Sequence, residues 1–471
     1  MNTKLLNFKT NFIRILSQLP QKIKDLMSEE GNYFVGGFVR DIYLQQEKNY
    51  DIDIVVSNID KVLFFLKNDL KANIITLDED FGVYRVFIKG FKNYFDVSKI
   101  QGENIIEDLQ RRDFSINAIA IKYKDNDIEI IDPLNGILDI ETGIIRVISR
   151  QNLISDPLRL LRAYRFKAQL GFEIDNITEE YIKELSFLIN EVAKERLKSE
   201  LFRILCFENT EKIFRAMDKT NFLRFLFPFI ESYKNFFSGK LHKYDLFNHS
   251  LETLKAIESF IQAGFPIDFN NNIILEELEF GFTSLSALKL TAFLHDIGKI
   301  LTKDTINNKI TFYNHDKMGA EFLKNFLIKE KYSSKSIGLI EKLIKFHLYP
   351  FHIIQSSKGN PTLSSKAYLK LKEELGNYVP LLFILFIADN LAKNTENNNL
   401  IDGAKILYKD YLMFEKPPLL NGSEIMEALN IQQGPIIGKI ILDLREKELE
   451  GKLKDKSSAQ EYIRETYGKK I

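Results

Sequence analysis

Asp51 and Asp53 stand two apart in an alternating run that reads as a β-strand. Strand side chains alternate, so residues i and i+2 share a face. Two carboxylates on one face suit Mg²⁺, which takes oxygen ligands and keeps substrate phosphates in its shell. Asp96, in the strand-like Tyr94-Phe95-Asp96-Val97, offers a third carboxylate, either as metal ligand or as general base. Upstream, Gly36-Gly37-Phe38-Val39-Arg40-Asp41 follows a strand and opens a helix. Glycines there let backbone N–H groups approach a phosphate, and a helix N-terminus favours an anion. Arg40 can add a charge-assisted bond to a triphosphate. Arg111-Arg112-Asp113, followed by Asn117, supplies a basic pair and polar groups for triphosphate and ribose. Each string alone also reads as a cap, a tight turn or a solvated face.

A second constellation follows. Asp156, Arg159, Arg162 and Arg165 recur every three residues, which on a helix keeps them along one side. A third is set by histidine. All six histidines fall between residues 242 and 352, and one of them heads the pair His295-Asp296 after an apolar run. Imidazole with carboxylate suits Mn²⁺, Ni²⁺, Fe²⁺ or Zn²⁺ better than Mg²⁺ alone. His242 and His352 are expected to be ordinary core or surface residues.

The elements that must hold these groups follow from composition and period. The chain has 471 residues, long enough for roughly three domains. Lys+Arg and Asp+Glu are 65 each, so the net charge is zero and a globally basic nucleic-acid coat is excluded. There are 23 Gly and 11 Pro. That is about 7% of the chain against a usual ~12%, so a mainly helical protein is expected. The single cysteine, Cys206, excludes an internal disulfide and any multi-cysteine zinc site. No apolar run reaches the ~18 residues that span a bilayer, and the N-terminus does not read as a signal peptide, so a cytoplasmic protein is expected. Residues 5–28 read as a helix broken at Pro20. Strands are expected at 33–35, 51–56, 83–88, 94–97, 118–123 and 128–131, with helices at 38–45 and 59–70. From Asp156 the strand signals stop, and helical periodicity runs to a break at Pro417-Pro418, ahead of a charged helical tail.

In this order and spacing the strings resemble the class II tRNA nucleotidyltransferase and bacterial poly(A) polymerase superfamily. The resemblance extends through Asp132-Pro133-Leu134-Asn135-Gly136, Asp156-Pro157-Leu158-Arg159 and Glu195-Arg196-Leu197, over roughly residues 30–210. Residues 420–424 and 434–439 of the tail fit it too, and place Lys439 at a helix start. His295-Asp296 is similar to the HD-domain metal phosphohydrolases. The fold class this implies is α+β, a small polymerase-β-like mixed-sheet head followed by an all-α neck, HD body and tail. The expected divisions are a head over 1–149, a neck over 150–235, an HD domain over 236–415 and an RNA-contacting tail over 416–471.

The resemblance implies roles residue by residue. Asp51 and Asp53 hold Mg²⁺, with Asp96 beside them as a catalytic carboxylate. Gly36, Gly37, Arg40, Asp41, Arg112, Asp113 and Asn117 bind the nucleotide. Asp156 and Arg159 read the Watson–Crick edge of the incoming base, and Arg162 and Arg165 contact phosphate or serve the structure. A carboxylate accepts from the amino group of cytosine or adenine and a guanidinium donates to its ring acceptors, so uracil or guanine would leave both unpaired. Ser155 stands where family members often carry Glu. In the HD region the implied ligands are His249, His295, Asp296 and Asp389, with His315 and His347 as the additional ligands of two-metal members. The partners implied are tRNA, CTP and ATP, with no membrane and no obligate protein partner. Between Asp96 and the Arg-Arg-Asp string the chain is shorter than in full CCA-adding members, and loss of that loop is associated with enzymes that add only the two cytidines. CC addition is therefore favoured over full CCA addition. A poly(A) polymerase, or an HD phosphohydrolase whose head only binds nucleotide or RNA, are the alternatives.

Overall fold

The computed structural model describes residues 3–46, 51–79, 82–237, 244–307, 309–357, 360–393 and 398–468. The chain divides into two compact units, Met1–Ala193 with Lys219–Phe225, and Lys194–Asp218 with Leu226–Ile471. The first unit thus runs past residue 149 and takes in much of the segment expected to form the neck.

Two helices open the first unit, α1 (Thr3–Ser17) and α2 (Gln21–Ser28), separated at Pro20 as expected. Phe8 and Phe12 of α1 bury their rings against Tyr43, Phe34 and Phe38. A seven-stranded sheet follows, built from β1 (Asn32–Val35), β2 (Ile52–Val56), β3 (Asn73–Asp78), β4 (Val83–Phe87), β5 (Tyr94–Lys99), β6 (Ala120–Lys124) and β7 (Asp127–Ile131). Its order is β3-β4-β5-β2-β1-β6-β7. β2 and β5 pair in parallel and the other neighbours antiparallel. β3 is absent from the sequence expectation. As an edge strand it stays largely exposed, so burial imposes no alternation on its residues.

The helices of this unit are α3 (Gly36–Tyr43), α4 (Ile59–Asp69), α5 (Ile105–Gln110), α6 (Gly136–Thr142), α7 (Arg150–Ser155), α8 (Leu158–Leu170) and α9 (Asn176–Leu185). α8 buries Leu158, Leu160, Leu161, Tyr164 and Phe166, and its Arg162 and Arg165 pack against the Phe166 ring. Asp156 is not part of α8. It lies between α7 and α8 in extended backbone, as the residue before Pro157 must.

The second unit is helical. Helices Leu246–Ala263, Ser284–Leu294 and Val379–Ala392 pack together, and His315–Lys329 and Ser334–Phe346 form an adjacent pair. The buried Lys289 ammonium pairs with Glu258 at 2.9 Å and donates to Thr210 Oγ1 at 2.7 Å and Leu205 O at 3.0 Å. Glu258 in turn accepts from Thr210 N at 2.7 Å. This pair fixes the register of the first two helices. By length and composition the helical stretch Ser365–Ala392 would cross a membrane, but 78% of its most apolar window is buried inside the protein, as in a core helix. The tail has its own small core of Leu420, Ile425, Ile437, Ile440, Leu444 and Ile463. There Gly434 caps the helix Pro435–Leu449, which carries Lys439 in its first turns.

Candidate active site and metal centre

In the head, the strand registers align three side chains across the sheet. Asp53 of β2 lies opposite Asp96 of β5, and Asp96 lies opposite Arg85 of β4. Asp51 stands exposed just before β2. Gly36 begins α3 with φ +70°, a conformation only glycine adopts without strain. A Cβ on Gly36 would lie 3.1 Å from Asp53 Oδ2, and one on Gly37 3.6 Å from the same atom. The two glycines therefore keep the space over Asp53 open. The first turn of α3 is already engaged, because Phe38 N–H donates to the Asp53 carboxylate. Burial, together with the nearby Asp96 and Asp51, outweighs Arg112 and that bond and pushes the Asp53 carboxyl up to about 6. Crowded carboxylates beside an open cradle are a fit for Mg²⁺.

The neighbours are ordered by ion pairs. Arg112 donates from Nε and Nη2 to the buried Asp108 at 3.1 and 3.0 Å, and its Nη1 reaches the Gly36 cradle. Asp108 also accepts from Gln101 N at 2.9 Å. Its partnership was readable from the four-residue spacing to Arg112. Arg40 is buried. It donates to Asp41 at 2.8 Å and to Asn117 Oδ1 at 2.6 Å. Asn117 donates to Asp113 at 3.1 Å, and Asp113 pairs with Arg162 at 2.6 Å. Arg40, Arg162 and Arg165 all lie around the Phe166 ring, at 5.2, 5.7 and 4.1 Å from its centre. Arg40, Asn117, Asp113, Arg162 and Arg165 thus form a connected network around Phe166. Burial raises the Asp113 carboxyl, but Arg162, Asn117 and Arg159 overcome it and hold it down at about 2.

Asp156 and Arg159 stay at the surface end of α8. Their charged groups are 3.8 Å apart, with side chains 28% and 19% exposed. Arg159 Nη1 donates to Asn152 O at 3.1 Å and Arg112 O at 3.4 Å, which fixes its guanidinium against the head. Ser155 ends α7 and donates to Asn152 O at 3.1 Å.

In the second unit the structure brings all six implied HD residues together. His249 comes from helix Leu246–Ala263, and His295 and Asp296 follow Ser284–Leu294. His315 opens His315–Lys329, His347 caps Ser334–Phe346, and Asp389 lies in Val379–Ala392. Nε2 of His249 and His295 lie 3.0 and 3.5 Å from Asp389 Oδ1. His295 Nε2 is 3.3 Å from Asp296 Oδ2, while His315 and His347 approach Asp296 Oδ1 at 3.5 and 3.7 Å. Asp296 is therefore shared between two ligand groups, one with His249 and His295 and one with His315 and His347.

The rings are oriented from behind. Nδ1 of His295, His315 and His347 faces the carbonyls of Ala292, Phe312 and Ile344 at 2.9, 2.8 and 2.6 Å. A carbonyl only accepts, so Nδ1 carries the proton and Nε2 points its lone pair inward. The four Nε2 atoms and Asp389 Oδ1 are buried and converge on one another and on Asp296. Such convergence of donor atoms fits metal ions. Burial lowers the His249 and His347 imidazoles, whereas Asp296 and Asp389 outweigh burial at His295 and raise that one, because both carboxylates lie against its Nε2. Gly298 permits the arrangement, since a Cβ there would lie 1.8 Å from His315 O. His352 is exposed and takes no part, and His242 lies outside the described residues.

Three family models match in chain order: the Poly A polymerase head domain over 32–146, the probable RNA and SrmB-binding site of polymerase A over 171–234, and the HD domain over 246–394. In the order of these three matches the chain is similar to the class II tRNA nucleotidyltransferase and poly(A) polymerase superfamily, with an HD domain. Among its relatives, the A-adding tRNA nucleotidyltransferase of Deinococcus radiodurans is 25% identical over 448 residues, 92% of this chain and 95% of that one. The CC-adding tRNA nucleotidyltransferase of Synechocystis is 27% identical over 434 residues, 92% of each. That of Geobacter sulfurreducens is 39% identical over 208 residues, 44% of this chain and 46% of its own. The CCA-adding enzyme of Thermotoga maritima, solved in complex with tRNA, shares the fold with a TM-score of 0.67 at 23% identity, over 97% of this chain and 98% of that one.

Sequence reasoning missed Arg85, Tyr94, Asp108 and Phe166. Asp108 and Phe166 had a local signal, each lying four residues from an arginine partner, whereas the partnerships of Arg85 and Tyr94 are not local in sequence.

Proposed function

We propose that this chain extends the 3′ end of tRNA with cytidylate from CTP as a cytoplasmic enzyme, and that it stops after two additions. The observation that carries the reading is the row of Asp53 and Asp96, with Asp51 beside it, facing the Gly36-Gly37 cradle. In the reaction a tRNA 3′-hydroxyl attacks the α-phosphate of CTP, a new P–O bond forms, and the bond to the β-phosphate breaks to release pyrophosphate. Asp51 and Asp53 would hold Mg²⁺, which when bound neutralises the charge of the reacting phosphates. Arg112, braced by Asp108, offers its guanidinium beside the cradle for the triphosphate. Asp156 and Arg159 present an acceptor and a donor edge to the base, and the interior network under Phe166 keeps α8 fixed while they do so. The relatives named as CC-adding or A-adding tRNA nucleotidyltransferases support the substrate class.

The restriction to cytidine is supported by the connection from β5 to α5. It comprises only Ile100–Asn104 and is folded on itself: Ile100 N donates to Val56 O at 3.0 Å and Gln101 N to Asp108. Asn104 then caps α5. Little chain remains to act as a lever on Asp156 and Arg159 for the larger purine.

The HD cluster supports a second activity, a metal-dependent phosphohydrolase acting on RNA-end phosphoesters, 2′,3′-cyclic phosphates among them. His249, His295, Asp296 and Asp389 would hold one ion and Asp296, His315 and His347 a second, which when bound would activate water and polarise the phosphate. Incorporation of labelled CTP, ATP and UTP into tRNA lacking its CCA end tests the first activity. CMP incorporation supports it. Long AMP tails would favour a poly(A) polymerase, and no incorporation alongside cyclic-phosphate hydrolysis would leave the HD activity as the enzyme's only one.

A further inference from the structure

Arg85 lies one strand beyond the carboxylate row, and nothing in the sequence motifs points to it. Its Nε donates to Asp96 Oδ1 at 2.9 Å and its Nη2 to Asp96 Oδ2 at 2.8 Å. This is the parallel two-point grip that only a guanidinium provides. The same guanidinium sits 4.0 Å above the centre of the Tyr94 ring, and the Tyr94 hydroxyl hydrogen-bonds Asp51. Arg85 thus touches one carboxylate of the site directly and braces a second through Tyr94. On its outer side the row ends at Ile75 of the edge strand, which is exposed and apolar. The grip faces inward only.

We propose that Arg85 is a positioning residue of the transfer site, fixing the Asp96 carboxylate so that it faces the cation position of Asp51 and Asp53. The inference rests on the nucleotidyltransferase reading of the head. Each carboxylate oxygen has two lone pairs. The fork occupies one on each oxygen and locks the plane of the group; the remaining two diverge, so one oxygen keeps a free lone pair for a cation beside Asp53. Without the fork, Asp96 at the rim of the cleft has several rotamers, and only some face the site. A lysine would supply the charge but hold one point only.

Arg85→Ala and Arg85→Lys, made in the full chain, test this beside Asp53→Asn. Both Arg85 variants are expected to melt at the unsubstituted protein's temperature and to lose about 10- to 100-fold in kcat for CMP incorporation. KM for CTP should stay within about threefold, because the grip acts on the reacting centre and not on nucleotide binding. Millimolar guanidinium chloride should restore part of the kcat of Arg85→Ala, whereas sodium chloride at equal ionic strength should not. A purely structural role would show instead as a lowered melting temperature with no response to guanidinium. The inference is overturned by a kcat for Arg85→Ala within about twofold of the unsubstituted protein, by full recovery in Arg85→Lys, or by absence of guanidinium rescue. If Asp53→Asn also incorporates CMP normally, the reading of the whole site fails. If Asp53→Asn is inactive and Arg85→Ala is normal, only the role of Arg85 fails.

Discussion

Asp53 concentrates the chemistry of the head in one side chain. It accepts from the first turn of α3, faces the glycine cradle and lies near two other carboxylates, an arrangement that fits a cation. Asp53→Asn keeps the shape and removes the charge. CMP incorporation should fall by at least about 100-fold, with circular dichroism and melting unchanged; turnover near the unsubstituted level would remove Asp53 from metal binding. Asp156 and Arg159 make a different prediction. Deleting either should cost discrimination between bases, about 1–3 kcal/mol, more than it costs triphosphate binding. Competition of CTP against UTP in one reaction measures this, and an unchanged preference in both variants would end the base-reading role. At this scale the sequence showed which residues matter better than how they are used. Arg40 and Asp113 were legible as members of motifs. Their burial in one network with Asn117 and Arg162 was not, because those partners lie 49 to 77 positions apart along the chain.

Asp113 shows what holds one element to another. It ties α8, through Arg162, to the segment carrying Asn117. Its carboxyl is held down at about 2, below its ordinary value of 3.8. In the window between these values the unfolded chain binds the proton that the folded one refuses, so stability rises with pH there. The contribution, about 2 kcal/mol, is fully present above pH 4 and lost as pH falls through about 2. Urea midpoints at pH 5 and pH 2.5 should therefore differ more for the unsubstituted protein than for Asp113→Asn; equal differences would contradict the network. Elements whose burial leaves a period were legible in advance: the two opening helices, β2, β5 and α8. β3 was not, since an exposed edge strand carries no such pattern, and Asp156 was read onto a helix that Pro157 starts only after it.

For the molecule as a whole, two candidate ligand sets of different type lie in different units. The oxygen-only head suits Mg²⁺, and the imidazole-rich cluster suits a softer ion. Asp296→Ala should remove metal retention by the second unit, read as ions per chain by mass spectrometry, and with it any 2′,3′-cyclic phosphodiesterase activity, while CMP incorporation stays near normal. Persistence of the phosphodiesterase in that variant would refute the assignment. The HD ligands lie up to 140 residues apart, from His249 to Asp389, and were legible because the His295-Asp296 pair resembles the HD family, whose pattern implies the others. The measurement closest to the central claim is the sequence of tRNA 3′ ends after reaction of the purified chain with CTP and ATP together. Ends carrying two cytidines and no more are expected, even with ATP in excess. Efficient addition of a terminal adenosine would contradict the restriction to cytidine, and unextended ends would contradict the transferase itself.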